Sequence, residues 1–203
     1  MAGPDATQAA LPFSGLIFDM DGTLTKPVID FGAMRRDLAI PSGDIASVVL
    51  SWPPEKQAWA WEIIRGHEEI ALEKMALQDG CAGLLGACRA RGLKLGVVTR
   101  NSKESTQHLC ERFGLQFDTV VTREFPWIKP HPGPVLHILE QWQAQAGRVM
   151  MIGDYIHDIE CGHAAGVKTC FFHNPGFPDW SQAADYTVHT MAELARIVLP
   201  GGL

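Results

Sequence analysis

Two carboxylates two residues apart, Asp19 and Asp21, stand where the apolar run GLIF gives way to Gly22 and Thr23. In an extended strand they share a face, although an Asp-Gly turn with a chance acidic neighbour explains them equally well. A second acidic pair, Asp154 and Asp158, follows RVMMIG, and aspartate at a helix start is often only an N-cap. Thr99-Arg100-Asn101 offers a hydroxyl followed by backbone donors at a helix entrance, which is either a capped helix or a seat for an anion. Lys129 lies in the proline-stiffened stretch IKPHP, where a surface lysine is the default. Position unites the four segments. Each falls after a predicted strand, and an open parallel sheet binds its ligands outside the carboxyl ends of its strands. Acidic groups, an anion seat and one ammonium at such an edge are the materials of a single site acting on an anion.

The elements that would hold these residues recur as a β-type apolar run, a polar turn and a segment of helical periodicity, the pattern of βαβ units. Strands are predicted at 15–18, 93–99, 117–122, 148–153, 168–172 and, more weakly, 184–188. Helices are predicted at 81–91, 102–113, 134–143, 156–165 and 191–199. Thr190 and Glu193 form a capping box for the last of these. The fold class is therefore α/β, a Rossmann-like doubly wound parallel sheet.

Residues 27 to 80 break the rhythm, since α/β loops usually run about 2–6 residues. The interval reads as helices, FGAMRRDLAI ending at Pro41, GDIASVVLSW ending at Pro53, and a long segment from Pro53 to Gly80 with a seam of Trp59, Ile63, Gly66, Ile70 and Leu77. Trp52, Trp59 and Trp61 are expected in contact surfaces. The predicted division is a Rossmann-like core at 12–27 and 80–203, which would be catalytic, with a helical insert at 28–79 that is a cap, an interface or both.

The chain has 203 residues, 17 basic and 23 acidic side chains and a formal charge of −6. With 46% hydrophobic residues and a mean hydropathy near zero it should bury a sizeable core, which excludes disorder as its main state. No basic run suits a nucleic acid or an anionic membrane, and no apolar stretch approaches 18 residues. MAGPDATQAA lacks a basic or apolar leader pattern and reads as a short tail of a cytoplasmic protein. Five cysteines, none in a CxxC pair, argue for reduced, mostly buried thiols.

The motifs DMDGT, VVTRN, KPHP and GDYIHD, in this order, resemble the four signatures of the haloacid dehalogenase-like superfamily, and the insert resembles its small helical cap class. The resemblance implies a Mg²⁺-dependent phosphatase acting on a small phosphorylated metabolite. Asp19 would be the nucleophile that forms an aspartyl-phosphate, and Asp21 the acid that protonates the leaving alkoxide and later deprotonates water. Asp19 and Asp154 would ligate the metal by their side chains, the residue at Asp21 by its backbone carbonyl, and Asp158 directly or through water. A dianion meeting two carboxylates needs such a cation, and all-oxygen ligands favour Mg²⁺. Thr99 and the amides from Met20 to Gly22 would hold phosphoryl oxygens, Lys129 would neutralise shared charge, and Gly22, Thr23, Arg100 and Asn101 would face substrate.

Other readings have weaker support. A dehalogenase of this design needs no acid at position 21, because a halide leaves unprotonated. A phosphomutase would use the same aspartate pair, and a catalytically silent member would bind partners through its Trp-rich insert. A receiver-like domain would place its acceptor aspartate after the third strand, where Thr122-Arg123-Glu124 stands. A zinc set around His157 lacks a second histidine pair at metal spacing. The expected assembly is a monomer or homodimer.

Overall fold

The computed structural model describes residues 11–201, so the tail expected from MAGPDATQAA lies outside the described residues. Two compact units form, one from the residues up to Lys26 together with those from Leu77 onward, the other from Pro27–Ala76.

The larger unit is built on six parallel strands, β1 (Gly15–Phe18), β2 (Lys94–Val98), β3 (Thr119–Val121), β4 (Val149–Gly153), β5 (Lys168–Phe172) and β6 (Tyr186–Val188), in the order β3-β2-β1-β4-β5-β6. Every residue of β1 and β4 is buried, which is why both read as continuous apolar runs without alternation. The order places β1 between β2 and β4, with Phe18 registered to Val97 on one side and Ile152 on the other. The carboxyl ends of these three strands therefore converge, and the chain reverses its direction of winding at β1.

The helices α4 (Cys81–Ala90), α5 (Lys103–Phe113), α6 (Gly133–Trp142), α7 (Ile156–Ala164) and α8 (Met191–Val198) belong to the same unit. The indole of Trp142 on α6 lies so close to Gly15 and Gly96 that a Cβ at either would be crowded by its ring, which explains two glycines inside neighbouring strands. Ser102 caps α5 by accepting from the Ser105 amide at 3.1 Å. Thr190 caps α8 as expected, but Glu193 reaches back to the amide of His189, one residue before the cap, at 2.7 Å. The five cysteines are free, and burial pushes the thiols of Cys81, Cys88, Cys161 and Cys170 up to about 12. Among the described residues no helix is long and apolar enough to cross a membrane.

The smaller unit contains α1 (Phe31–Asp37), α2 (Ile45–Leu50) and α3 (Pro54–Lys74). Asp30 and Asp44 cap the first two, each accepting a backbone amide at 2.8 Å. Its core is Met34, Leu38, Ile40, Ile45, Val49, Ala60 and Ile64. The seam expected on α3 holds only in part: Ile63 packs partly buried against this core, but Trp59 and Ile70 are exposed, and Ala60, Ile64 and Ala71 are buried. The reason is local. Trp59 stacks on Trp52 with ring centroids 6.4 Å apart, and Lys56 sits 3.6 Å over the Trp52 ring, so the aromatic face is satisfied at the surface. The long helix also ends at Lys74, short of the Leu77 expected in that seam; Leu77 instead bridges to Thr25 in the larger unit.

Candidate active site

Asp19 is the first residue beyond β1, and its amide donates to the Ile152 carbonyl of β4 at 2.8 Å, which fixes the strand end. Its carboxylate accepts from Lys129 Nζ at 2.5 Å, and the same ammonium donates to Asp158 at 2.6 Å. Lys129 comes from the loop between β3 and α6, where Lys129–Pro130 is a cis peptide and His131 donates its amide to the Ile128 carbonyl at 2.9 Å. The lysine is 3% exposed, so an ammonium is held between two carboxylates in near-complete isolation from water. Burial alone would lower its pKa, but the carboxylates of Asp158 and Asp19 outweigh that and hold it above the usual lysine range.

Asp158 spends its other oxygen on the Tyr155 amide, at 3.1 Å, at the start of α7. Gly153, the last residue of β4, leaves the space in which that carboxylate sits; a Cβ there would overlap it. Gly22 makes the matching allowance for Asp154. It adopts a φ of +79°, and a Cβ at that position would collide with the Asp154 carboxylate. Asp19, Asp154 and Asp158 bring ligand oxygens within 4.8 Å of one another. Burial first, and then the charges of Asp19 and Asp158, push the Asp154 carboxyl well above its ordinary value. A cluster of carboxylate oxygens in which burial disfavours the charge of Asp19 and Asp154 fits a hard divalent cation, whose charge would offset that cost.

Asp21 has a different environment. Its Oδ2 accepts from Asn101 Nδ2 at 2.5 Å, and the Thr25 hydroxyl lies 3.3 Å from its Oδ1. Burial raises its pKa to about 6, with the Asn101 hydrogen bond opposing and the Asp19 charge adding to the rise. Asp19 is also raised to about 6, by burial above all, against the opposing pull of Lys129. The loop bearing Asp21 is tight, because the Met20 carbonyl accepts the amides of Leu24 and Thr25 at 2.9 and 3.0 Å.

The remaining residues singled out by sequence fall around this centre in different ways. Thr99 is the first residue beyond β2, is 5% exposed, and accepts from the Asn101 amide at 3.1 Å. Arg100 meets His157 Nδ1 at 2.9 Å. Because Arg100 follows β2 and His157 follows β4, that contact spans the end of β1 between them. Thr23 is fully buried with its hydroxyl enclosed, so its side chain is not presented to solvent. His131, beside Lys129 in the same loop, stacks on Trp127 and accepts from the Gly133 amide through Nδ1.

Two residues were not anticipated. Asn174, just past β5, donates to the Gly22 carbonyl at 2.7 Å, and Gln78 Nε2 lies 3.0 Å from its side-chain oxygen. The only hint in the sequence is that Asn174 follows a predicted strand, as the recognised segments do.

The family profile described as haloacid dehalogenase-like hydrolase matches residues 47–172. A haloacid dehalogenase-like hydrolase domain-containing protein of Arabidopsis thaliana is 40% identical over 183 residues, covering 84% of this chain and 75% of the relative. The chain belongs to the haloacid dehalogenase-like hydrolase family. It is also 30% identical to a phosphoglycolate phosphatase of Chromobacterium violaceum, over 91% of this chain and 96% of that protein. The crystal structure of a hydrolase from Pseudomonas syringae superposes with a TM-score of 0.79 at 19% identity, covering 94% of this chain and all of that one, and shares the fold.

Proposed function

We propose that this hydrolase cleaves the phosphate monoester of a small metabolite through an aspartyl-phosphate on Asp19. The observation that carries the reading is the unequal treatment of two adjacent carboxylates. Asp19 is paired with a buried cation, which favours its ionised, nucleophilic form. Asp21 receives an amide and a hydroxyl instead, and burial raises it to about 6. A carboxyl of that strength is about one-tenth protonated at pH 7, against fewer than one in a thousand at its ordinary value. A proton donor is what an alkoxide leaving group requires; burial raises both carboxyls to about 6, and their different partners, the Lys129 ammonium on Asp19 and the Asn101 amide and Thr25 hydroxyl on Asp21, are what support the nucleophile and acid assignments.

In the first step an Asp19 oxygen bonds to phosphorus, the bond from phosphorus to the ester oxygen breaks, and Asp21 gives that oxygen its proton. In the second, Asp21 takes a proton from water as the water oxygen attacks phosphorus, releasing phosphate and restoring Asp19. Lys129 offsets charge shared by Asp19 and the phosphoryl group, and Thr99 is a candidate donor to a phosphoryl oxygen. Asp19 and Asp154 would hold Mg²⁺, with Asp158, both of whose oxygens already serve Lys129 and Tyr155, orienting it from behind. When bound, the ion would neutralise the repulsion between the phosphate and these carboxylates. Asn101 is better suited to holding Asp21 than to touching substrate, and Arg100 remains the candidate substrate contact. The phosphoglycolate phosphatase relative supports a small acid phosphate as the substrate class.

Phosphate release from a panel of phosphorylated metabolites, with Mg²⁺ and with EDTA, beside Asp19→Asn, tests this. Metal-dependent release that disappears in the variant is expected. Release that persists in Asp19→Asn would overturn the mechanism.

A further inference from the structure

Asn174 is 7% exposed and stands at the carboxyl end of β5, two strands from β1 in the sheet, yet its amide reaches the loop that follows β1. Nδ2 lies 2.7 Å from the Gly22 carbonyl and 3.4 Å from Asp154 Oδ2. The Gly22 carbonyl can only accept, so the orientation of the amide is determined: its nitrogen must face that carbonyl and its oxygen must face away. That oxygen lies 3.0 Å from Gln78 Nε2, which is also 3.2 Å from the Gly22 carbonyl. The Gln78 amide donates to the Leu24 carbonyl at 2.9 Å, which anchors Gln78 to the same loop. Two side-chain amides thus converge on one carbonyl oxygen and link the Asp21 loop, the residue after β5 and the Asp154 carboxylate.

We propose that Asn174 and Gln78 are a positioning pair that sets the Asp154 carboxylate and the Gly22 turn for binding a divalent cation. The inference rests on the reading of Asp19 and Asp154 as the cation ligands, with Asp158 behind them. Gly22 and Asp154 are pressed together where no Cβ fits, so a shift of the turn changes the packing of the carboxylate. The Asn174 hydrogens supply the donors that hold both, and Gln78 fixes the Asn174 amide from behind. Groups that orient metal ligands in this way typically change metal affinity or activity about 10- to 100-fold when removed.

The test is Mg²⁺ binding by calorimetry to the full chain, for wild type, Asn174→Ala and Gln78→Ala, with Asp154→Asn as the control that removes a ligand. Asn174→Ala should raise the Mg²⁺ dissociation constant about tenfold or more, and Gln78→Ala about threefold, with far-ultraviolet circular dichroism unchanged. Where a phosphomonoester is turned over, the rate lost by Asn174→Ala should return as Mg²⁺ is raised, whereas a merely structural defect would persist at every concentration. A dissociation constant within twofold of wild type for Asn174→Ala overturns the pair. If that variant fails to fold, an unchanged constant for Gln78→Ala overturns it instead. Absence of Mg²⁺ binding by wild type overturns the cation-site reading, and the positioning role falls with it.

Discussion

Replacing Lys129 by Met should cost stability as well as activity, and the structure sets the scale. The ammonium lies 2.5 Å from Asp19 and 2.6 Å from Asp158. At an effective dielectric near 20, each contact is worth roughly 6 kcal/mol of gross attraction, most of it offset by taking the charges out of water. Removing the cation leaves carboxylates buried without it, and deletion of one partner from a buried pair costs about 3–5 kcal/mol. For a domain with ~5–15 kcal/mol in total, the urea midpoint should fall by roughly 1–2 M. The assay is urea unfolding in EDTA of wild type, Lys129→Met, Asp158→Asn and the double variant. Met nearly matches the lysine stem, so lost packing is small. Neutralising Asp158 in the Lys129→Met background should restore part of the loss, because it removes one of the stranded charges. A loss below about 1 kcal/mol, or no recovery in the double variant, would refute the picture of a buried ammonium bridging two carboxylates.

Asp21→Asn should keep Mg²⁺ binding, measured by calorimetry, while steady-state turnover falls about 10²- to 10⁴-fold, the usual contribution of a positioned acid-base group. In the inserted unit, Ile64→Ala should cost about 2–5 kcal/mol in thermal or urea unfolding and Trp59→Ala much less, because Ile64 is 6% and Trp59 46% exposed; the reverse ranking would restore the seam read from sequence. Asp185 accepts from Lys168 and from the Thr169 amide, each at 2.9 Å. Burial opposes its ionisation, but these donors prevail and lower the carboxyl to about 2 from 3.8. Its stabilisation is complete above 3.8 and is lost as pH falls toward about 2. Asp185→Asn should therefore cost about 1 kcal/mol at pH 7, after discounting for solvent screening, with the gap closing only in acid. A gap that stays constant down to the lowest pH at which both fold would contradict it.

The sheet was legible because buried parallel strands are written as short apolar runs. LIF, LGVV, VMMI and TCFF each lie in a strand with that burial. The edge where Asp19, Thr99, Lys129 and Asp154 gather was legible for the same reason, since each follows a strand or the loop after one. Asn174 and Gln78 were not, because an amide acquires meaning only from the acceptors that tertiary structure puts beside it. The buried face of α3 was read one residue out of phase. Tryptophans pulled the seam toward 59, whereas stacking between Trp52 and Trp59 keeps that ring at the surface and the smaller Ala60 and Ile64 take the core. Glu193 meets the amide of His189 rather than that of Thr190, a difference of one residue that the identities Thr190 and Glu193 do not specify.

The most direct test of the account is to quench turnover of a hydrolysed phosphomonoester with acid and map phosphate mass onto peptides. Wild type should carry acid-stable, base-labile phosphate on the peptide containing Asp19, and Asp19→Asn should carry none. Phosphate on another residue, or wild-type turnover that leaves no phosphate on Asp19 at any quench time, would contradict the claim that Asp19 is the nucleophile.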